Sequence, residues 1–149
     1  MAFPTLLHKR QPTRAAEDSR EVFGLLLEHG PLAPATARHE ARPVLDAWGL
    51  NEEQIYDTLL VISELVTNAV THALPPVILH LQATTHGFGR VQVHVSDGGP
   101  QPTPAAWAAT RPDDEHGRGA AIVSALANDA GAVDDANGLI DHWADLTTV

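Results

Sequence analysis

Two polar side chains that can do chemistry lie four residues apart in the most periodic apolar stretch of the chain. Glu64 and Asn68 belong to the segment SELVTNAVTHA, residues 63–73. On a helix this spacing places both side chains on one face. A carboxylate there can accept a proton from a nucleophile, and an amide oxygen can coordinate a hard cation. Taken alone, the pair is more typical of a solvated helix face, so its meaning depends on the rest of the sequence.

Two later segments have residue types suited to binding a nucleotide. Asp97 and Gly99 belong to SDGGP at 96–100, where a carboxylate can accept from an exocyclic amino group and glycine lets a flat ring approach the backbone. In HGRGAAIV at 116–123, two glycines open a predicted helix, whose free amides and positive end favour a phosphate. In isolation these segments also fit an ordinary turn and an ordinary helix cap. No Walker pattern G-x-x-x-x-G-K-[ST] occurs, which excludes that class of nucleotide site.

The elements that must position these residues follow from the apolar pattern and its breaks. Asn51, followed three residues later by Gln54, predicts the cap of the central helix. The first element, 22–28, fits a strand or a helix, since a short apolar run does not decide between them. After it we predict helices at 34–49 and about 52–73, strands at 77–84 and 91–96, a helix at about 119–130, and a closing hairpin of strands 132–136 and 139–146. The long segment 97–118 between them is rich in Gly, Pro and Asp, and loops of this length are usually functional.

The central helix has the strongest periodicity in the sequence. Its apolar residues recur at steps of three and four and predict one buried stripe: Ile55, Leu59, Ile62, Val66, Ala69 and Ala73. Glu64 lies nearly opposite this stripe, and Asn68, Thr67 and Thr71 surround it. Position on the helix therefore leaves Glu64 and Asn68 available for a site.

The order of elements predicts an α/β fold of the α+β two-layer type, with a mixed, mostly antiparallel sheet and helices packed on one face. The strand at 91–96 alternates, so its valines should face the core, and Gln92, His94 and Ser96 should face outward. His80 and His94 should face each other across the hairpin. Residues 1–20 lack a pattern and predict a flexible N-terminal arm before a single domain at 21–149.

Composition narrows the classes of partner. The chain has 149 residues and a formal net charge of −10, which repels phosphate backbones, so we expect no nucleic-acid partner. An acidic protein that binds a polyanion usually needs a divalent cation and aimed backbone amides. There is no cysteine, which excludes disulfides and thiolate chemistry. No apolar run has the length of a signal peptide or a membrane span, so we expect a cytoplasmic protein without membrane association.

Three segments in this order resemble a known family. SELVTNAVTHA, VSDGGP and HGRGAAIVSALANDAG are similar to the N box and the first and second glycine boxes of the Bergerat-fold (GHKL) ATPases. The similarity extends from about residue 31 to the C terminus and is strongest to small bacterial anti-sigma-factor serine/threonine kinases and related ATP-binding regulatory proteins. It implies a histidine-kinase-like ATPase domain with the Bergerat ATP-binding fold, ATP and Mg²⁺ as cofactors, and a role in transcription regulation. The resemblance implies a sigma factor and an anti-sigma-factor antagonist as partners. It is compatible with a homodimer, although the sequence does not fix the oligomeric state.

The resemblance also implies a role for each matching residue. Asn68 would coordinate a Mg²⁺ ion that bridges the ATP phosphates, and Glu64 would be the general base for a partner's serine or threonine hydroxyl, or for water. Asp97 would accept a hydrogen bond from the adenine amino group, and Gly99 would give the ring room. Residues 100–116 would form a lid. The phosphates would be wrapped at the start of the following helix by Gly117, Arg118 and Gly119.

Two departures from the family pattern leave a second hypothesis open. Gln101 replaces the last glycine of the D-x-G-x-G box, and Asp141 replaces a hydroxyl expected before Trp143. In the family that hydroxyl lies near the adenine, so a carboxylate beside Asp97 would repel it or raise one pKa. The leading hypothesis is an ATP–Mg²⁺-dependent anti-sigma-factor kinase that phosphorylates an anti-sigma-factor antagonist. The alternative is a catalytically degenerate Bergerat-fold module that regulates partners by protein–protein binding without phosphoryl transfer.

Overall fold

The computed structural model describes residues 20–84, 89–102 and 121–147. Its strands form a five-stranded antiparallel sheet. The strands run in the spatial order β1-β2-β3-β5-β4, and all four pairings are antiparallel, so the sheet is more uniform than the mixed sheet expected. Residues 121–126 are also helical. The elements are β1 (Arg20–Leu27), α1 (Ala33–Ala47), α2 (Glu52–His72), β2 (Val77–Thr84), β3 (Arg90–Asp97), β4 (Asp129–Asp134) and β5 (Ile140–Thr147).

The two long helices pack on one face of the sheet, which confirms the predicted two-layer α+β fold. Helix α2 begins at the predicted cap: the side chain of Asn51 accepts from the backbone of Gln54, and the side chain of Gln54 accepts from the backbone of Asn51, both at 2.8 Å. This reciprocal arrangement satisfies two amides that the first helical turn leaves without partners. Helix α1 contacts α2 and buries small residues at four-residue steps.

The core lies between α2 and the inward side chains of the three central strands. Leu79, Leu81, Val93, Val95 and Ala144 are all completely buried there. Each fully buried Val or Leu stabilises the fold by roughly 1.5–3 kcal/mol relative to an exposed one. This row of apolar residues holds α2 directly above β3, where the site residues of both elements are located.

Helix α2 buries a wider surface than the predicted stripe. The predicted positions are confirmed, with Leu59 only partly buried, but Val61, Val70 and Thr71 are fully buried as well. Helix α2 packs against α1 on one side and the sheet on another, so a single stripe cannot account for its contacts. The prediction that Thr71 lies on the polar face beside Glu64 is therefore wrong.

On the central strands, the outer face of the sheet, opposite the helices, carries buried polar side chains. His80 and His94 are register partners in β2 and β3, which confirms that they face each other, and their ring centroids are 5.8 Å apart. His94 and Ser96 alternate with the valines and face away from the helices as predicted, and on that face they are only 6% and 2% exposed. Nδ1 of His94 lies 3.0 Å from a carboxylate oxygen of Asp141. Polar side chains of the neighbouring strands β3 and β5 thus bond to each other on this face.

Within the described ranges, none of the helices combines the length and apolarity needed to cross a bilayer. Residues 1–19 of the predicted arm lie outside those ranges, and Arg20 already belongs to β1. The division into an arm at 1–20 and a single domain at 21–149 stays a prediction.

Candidate functional site

A cavity of about 480 Å³ opens where α2, the end of β3 and the start of β5 meet. Its wall is mostly apolar, with a few converging polar groups, as is typical of small-molecule sites. Two predicted site residues, Asn68 from α2 and Asp97 from the end of β3, face the same cavity. The described residues that line it are Leu65, Asn68, Ala69, His72, Ala73, Asp97, Pro100, Ile140 and His142.

Helix α2 contributes one side of the wall. Leu65, Asn68, Ala69 and His72 recur at steps of three and four, so they share one helix face. Glu64 is half-buried and lies one helical turn before Asn68, but it is not part of the wall. The structure therefore places Asn68 in the candidate site and Glu64 beside it.

The segment after β3 is bonded to the end of α2 through the backbone. The amide of Gly98 donates to the carbonyl of Leu74, and the amide of Leu74 donates to the carbonyl of Gly99, both at 2.7 Å. The amide of Gln101 donates to the carbonyl of His72 at 2.9 Å. These bonds fix the position of the helix end relative to the strand end, and with it the two halves of the cavity.

Gln101, which departs from the family pattern, has a structural contact of its own. Its side-chain amide donates to the carbonyl of Thr71 at 2.8 Å, in the last turn of α2. Gln101 is absent from the residues that line the cavity. Its side chain ties the segment after β3 to the last turn of α2, next to the cavity residue Pro100.

The two glycines after Asp97 differ in what surrounds them. A Cβ on Gly98 would lie 2.2 Å from the carbonyl oxygen of Pro75, so no larger residue fits there without a backbone shift. Gly99 has a φ of +94°, and no described atom lies within 4 Å of the place where its Cβ would be. Gly99 is buried and is not among the described residues that line the cavity, so its role of giving a flat ring room stays a prediction.

Asp97 is the most deeply buried polar group of the site. One carboxylate oxygen, Oδ1, accepts from the backbone amide of Gly99 at 2.8 Å. The other, Oδ2, lies 3.1 Å from Nε2 of His142. An ionised carboxylate only accepts hydrogen bonds, so Nε2 of His142 is the donor. The side chain of Asp97 is 2% exposed and that of His142 is 40% exposed.

The pKa of His142 is shifted by its surroundings in the site. Its hydrogen bond to Asp97 raises the pKa of the imidazole, and the negative charges of Asp97 and Asp141 raise it further. Partial burial acts in the opposite direction and is outweighed. His142 is therefore protonated over a wider pH range than a free histidine.

Asp141, expected beside Asp97, lies on the other face of the sheet. In the register of β3 and β5, Asp141 is paired with Ser96, and its side chain bonds to His94. Successive residues of a strand point to opposite faces, so the next residue, His142, shares the face of Asp97. The two carboxylates therefore do not share one face of the sheet, contrary to the expectation from the sequence. Sequence reasoning missed His142, although its one-residue offset from Asp141 was a signal that could have identified it.

The predicted phosphate-binding residues Gly117, Arg118 and Gly119 lie outside the described residues, as do residues 103–116 of the predicted lid. Residues 121–126 are helical, as the prediction of a helix after this box requires.

Comparison with known proteins identifies the fold and the family. The crystal structure of the RsbU and RsbW domains of Rv1364c from Mycobacterium tuberculosis is similar, with a TM-score of 0.63 and 23% identity. The match covers 85% of this chain and 33% of that chain, so this chain spans about a third of its length. No curated protein matches the chain. A family model described as the histidine kinase-like ATPase domain matches residues 31–140, which include the cavity residues of α2 and β3. The chain belongs to the histidine kinase-like ATPase domain family.

Proposed function

We propose that the protein is a cytoplasmic regulatory serine/threonine kinase that binds ATP and Mg²⁺ in the cavity and phosphorylates an anti-sigma-factor antagonist. The observation that supports this most is the meeting of Asn68 and Asp97 in one cavity of an ATPase-family domain. The partner class, an antagonist and a sigma factor, rests on the resemblance of the three sequence boxes to anti-sigma-factor kinases. Pairing as a homodimer rests on the same resemblance.

The strand end of the cavity suits an adenine ring. Asp97 would supply the buried acceptor for an exocyclic amino group, and Gly99, two residues later, would let the ring approach the backbone because it has no side chain. Leu65, Ala69 and Ile140 supply apolar surface in the same wall. A buried acceptor within an apolar wall orients a base more strongly than a solvated one does, because the acceptor needs a donor there.

The helix side of the cavity suits a magnesium–phosphate group. Asn68 supplies an amide oxygen, a ligand type that Mg²⁺ accepts, and Mg²⁺ commonly takes most of its other ligands from water and phosphate. Across the described ranges, no group of three or more acidic, histidine or cysteine side chains is placed to hold a metal by itself. Gly117, Arg118 and Gly119 would contact the phosphates. Bound Mg²⁺–ATP would supply the transferable phosphoryl group and part of its charge neutralisation.

Glu64 would take the proton from the hydroxyl of the antagonist. It lies one turn from Asn68 and is half-buried outside the cavity wall. Phosphoryl transfer depends chiefly on positioning and charge neutralisation, so Glu64 would orient and deprotonate the acceptor.

A calorimetric titration tests the nucleotide site. Asn68→Ala should lower the affinity for ATP–Mg²⁺ by about tenfold or more, because it removes the amide oxygen from the metal. Without Mg²⁺, wild type and variant should bind ATP equally weakly. Asn128→Ala is the matched control, since Asn128 is exposed and does not line the cavity. Its side-chain oxygen accepts from the amide of Thr147. Equal Mg²⁺-dependent affinity of Asn68→Ala and wild type would overturn the assignment of Asn68.

A transfer assay tests the kinase activity. With radiolabelled ATP and a candidate antagonist, Glu64→Ala should slow transfer about 10²–10⁴-fold and leave nucleotide affinity nearly unchanged, because a general base acts on the acceptor. Glu40→Ala, on the exposed surface of α1, is the control. If wild type binds ATP–Mg²⁺ and Glu64→Ala transfers phosphate as fast as wild type, Glu64 is not the base.

One observation favours the second candidate, a degenerate module that acts by protein–protein binding alone. Both carboxylate oxygens of Asp97 already have donors within the chain, from Gly99 and His142. A base must therefore displace or share an existing bond. The absence of both binding heat and a thermal shift with ATP–Mg²⁺ would support this candidate over the kinase.

A further inference from the structure

His142 holds the acceptor on which base recognition in the proposed site depends. Its Nε2 donates to Oδ2 of Asp97, while Oδ1 of Asp97 is bonded to the backbone of Gly99. The donor to Oδ1 is a backbone amide in the turn after β3, which no side-chain rotation removes, whereas the donor to Oδ2 is a side chain. Of the two oxygens, Oδ2 is therefore the one that an incoming donor can reach by moving a side chain.

The exposed fractions of the two side chains also indicate that His142 is the part of this bond that can move. The side chain of Asp97 is 2% exposed, although Asp97 lines the cavity, whereas that of His142 is 40% exposed. The imidazole is therefore the more accessible partner of this bond. The contact of His142 with Asp97 is made by its side chain, so a rotation of the imidazole can break it while the backbone of β5 stays in place.

We propose that His142 competes with the amino group of an adenine base for Oδ2 of Asp97 and thereby sets the affinity and the base selectivity of the site. This inference rests on the proposed ATP site and adds the residue that controls its base-recognising end. A base that lacks an amino group at this position has no donor for Oδ2 and no means of replacing His142 there.

The charges around His142 give the competition a pH dependence. Asp97 faces it from β3, Asn68 and His72 line the same wall from α2, and Ala132 is its register partner in β4. Asp141 precedes it on β5 and points to the other face. The raised pKa of His142 means that a proton strengthens its bond to Asp97. The affinity for an adenine nucleotide should therefore increase as pH rises through the pKa of His142.

The experiment compares ATP with inosine triphosphate (ITP), whose base carries a carbonyl in place of the amino group. The proteins are wild type, His142→Ala and His142→Gln, with His39→Gln on the exposed face of α1 as control. In His142→Ala the ATP affinity should rise about tenfold and the ITP affinity should change far less, because only ATP gains a free acceptor. His142→Gln keeps a neutral donor and should remove the histidine-dependent part of the pH profile.

A second measurement uses wild type alone and needs no variant to fold. In NMR spectra, the ring of His142 should titrate at a raised pKa, and ATP should lower that pKa by taking its place at Asp97. Equal effects of His142→Ala on ATP and ITP, or a His142 titration that ATP leaves unchanged, would overturn the competition while ATP binding stands. If neither wild type nor any variant binds ATP at any pH, the proposed function itself fails.

Discussion

At the scale of single residues, the site depends on how a buried carboxylate is kept in place. Removing an ionised carboxylate from water is strongly unfavourable unless hydrogen bonds replace those of water. Asp97 receives such bonds from the amide of Gly99 and the imidazole of His142. Any ligand that displaces His142 must therefore bring a donor, or Asp97 is left buried with an incomplete set of bonds. This requirement makes Asp97 a selective acceptor.

Gly98 gives the residue-scale test of the turn that places Asp97. A Cβ at this position would lie 2.2 Å from a backbone oxygen of Pro75, which no rotation of a side chain can relieve. Gly98→Ala should destabilise the protein by about 1–3 kcal/mol in urea unfolding, the usual effect of overpacking. It should also weaken ATP binding, because the backbone bonds between this turn and the end of α2 would shift.

Gly30→Ala is the matched control for that prediction. A Cβ on Gly30 would meet no described atom within 4 Å, and Gly30 has no positive φ. It should therefore leave stability nearly unchanged. Equal stability of Gly98→Ala and Gly30→Ala would contradict the close approach of Gly98 to Pro75.

At the scale of elements, the sequence predicted the ends of helices and strands best where residues close in sequence determine them. The capping box at Asn51 and Gln54 located the start of α2, and the breaks around β2 located both of its ends. Strand β4 begins at Asp129, where the prediction still had helix. Its alanines and glycine carry little strand preference, and its pairing with β5, a non-local contact, decides its conformation.

The side chains of the site were predictable from the sequence only to the accuracy of the strand register. Asn68 and Asp97 were found because each lies at a motif on one element. The contact between Asp97 and His142 joins two strands, and an offset of one residue exchanges His142 for Asp141. The burial of His94 had the same cause, because its partner Asp141 lies on another strand. The alternation of apolar and polar residues predicted which face of the sheet each side chain of β3 points to. How exposed each side chain is depends on which strands lie beside β3.

At the scale of the whole molecule, the acidic balance of the chain produces a general dependence of stability on pH. The formal net charge is −10 with histidine neutral, and the chain has nine histidines, so acidification reduces the repulsion among its negative charges. This background affects every variant in nearly the same way. A difference between wild type and a single histidine variant therefore isolates the contribution of that histidine.

His142 should contribute a distinct part of that dependence. Because its pKa in the folded protein is raised above the ordinary value of 6.5, folding is favoured by its protonation. Its stabilising contribution should be complete below about pH 6.5 and should disappear as pH rises through the raised value. Solvent screening of a side chain that is 40% exposed keeps the contribution small.

Urea unfolding of wild type and His142→Gln across this pH range measures the contribution. The difference in the free energy of unfolding should be largest at acidic pH and should shrink as pH rises, because glutamine can donate to Asp97 but never becomes charged. His39→Gln should parallel wild type throughout, since His39 is exposed on α1. A difference that is constant with pH would show that the imidazole contributes only a neutral hydrogen bond. The charge of His142 would then have no part in holding Asp97, and the competition at the base-recognising end would be independent of pH.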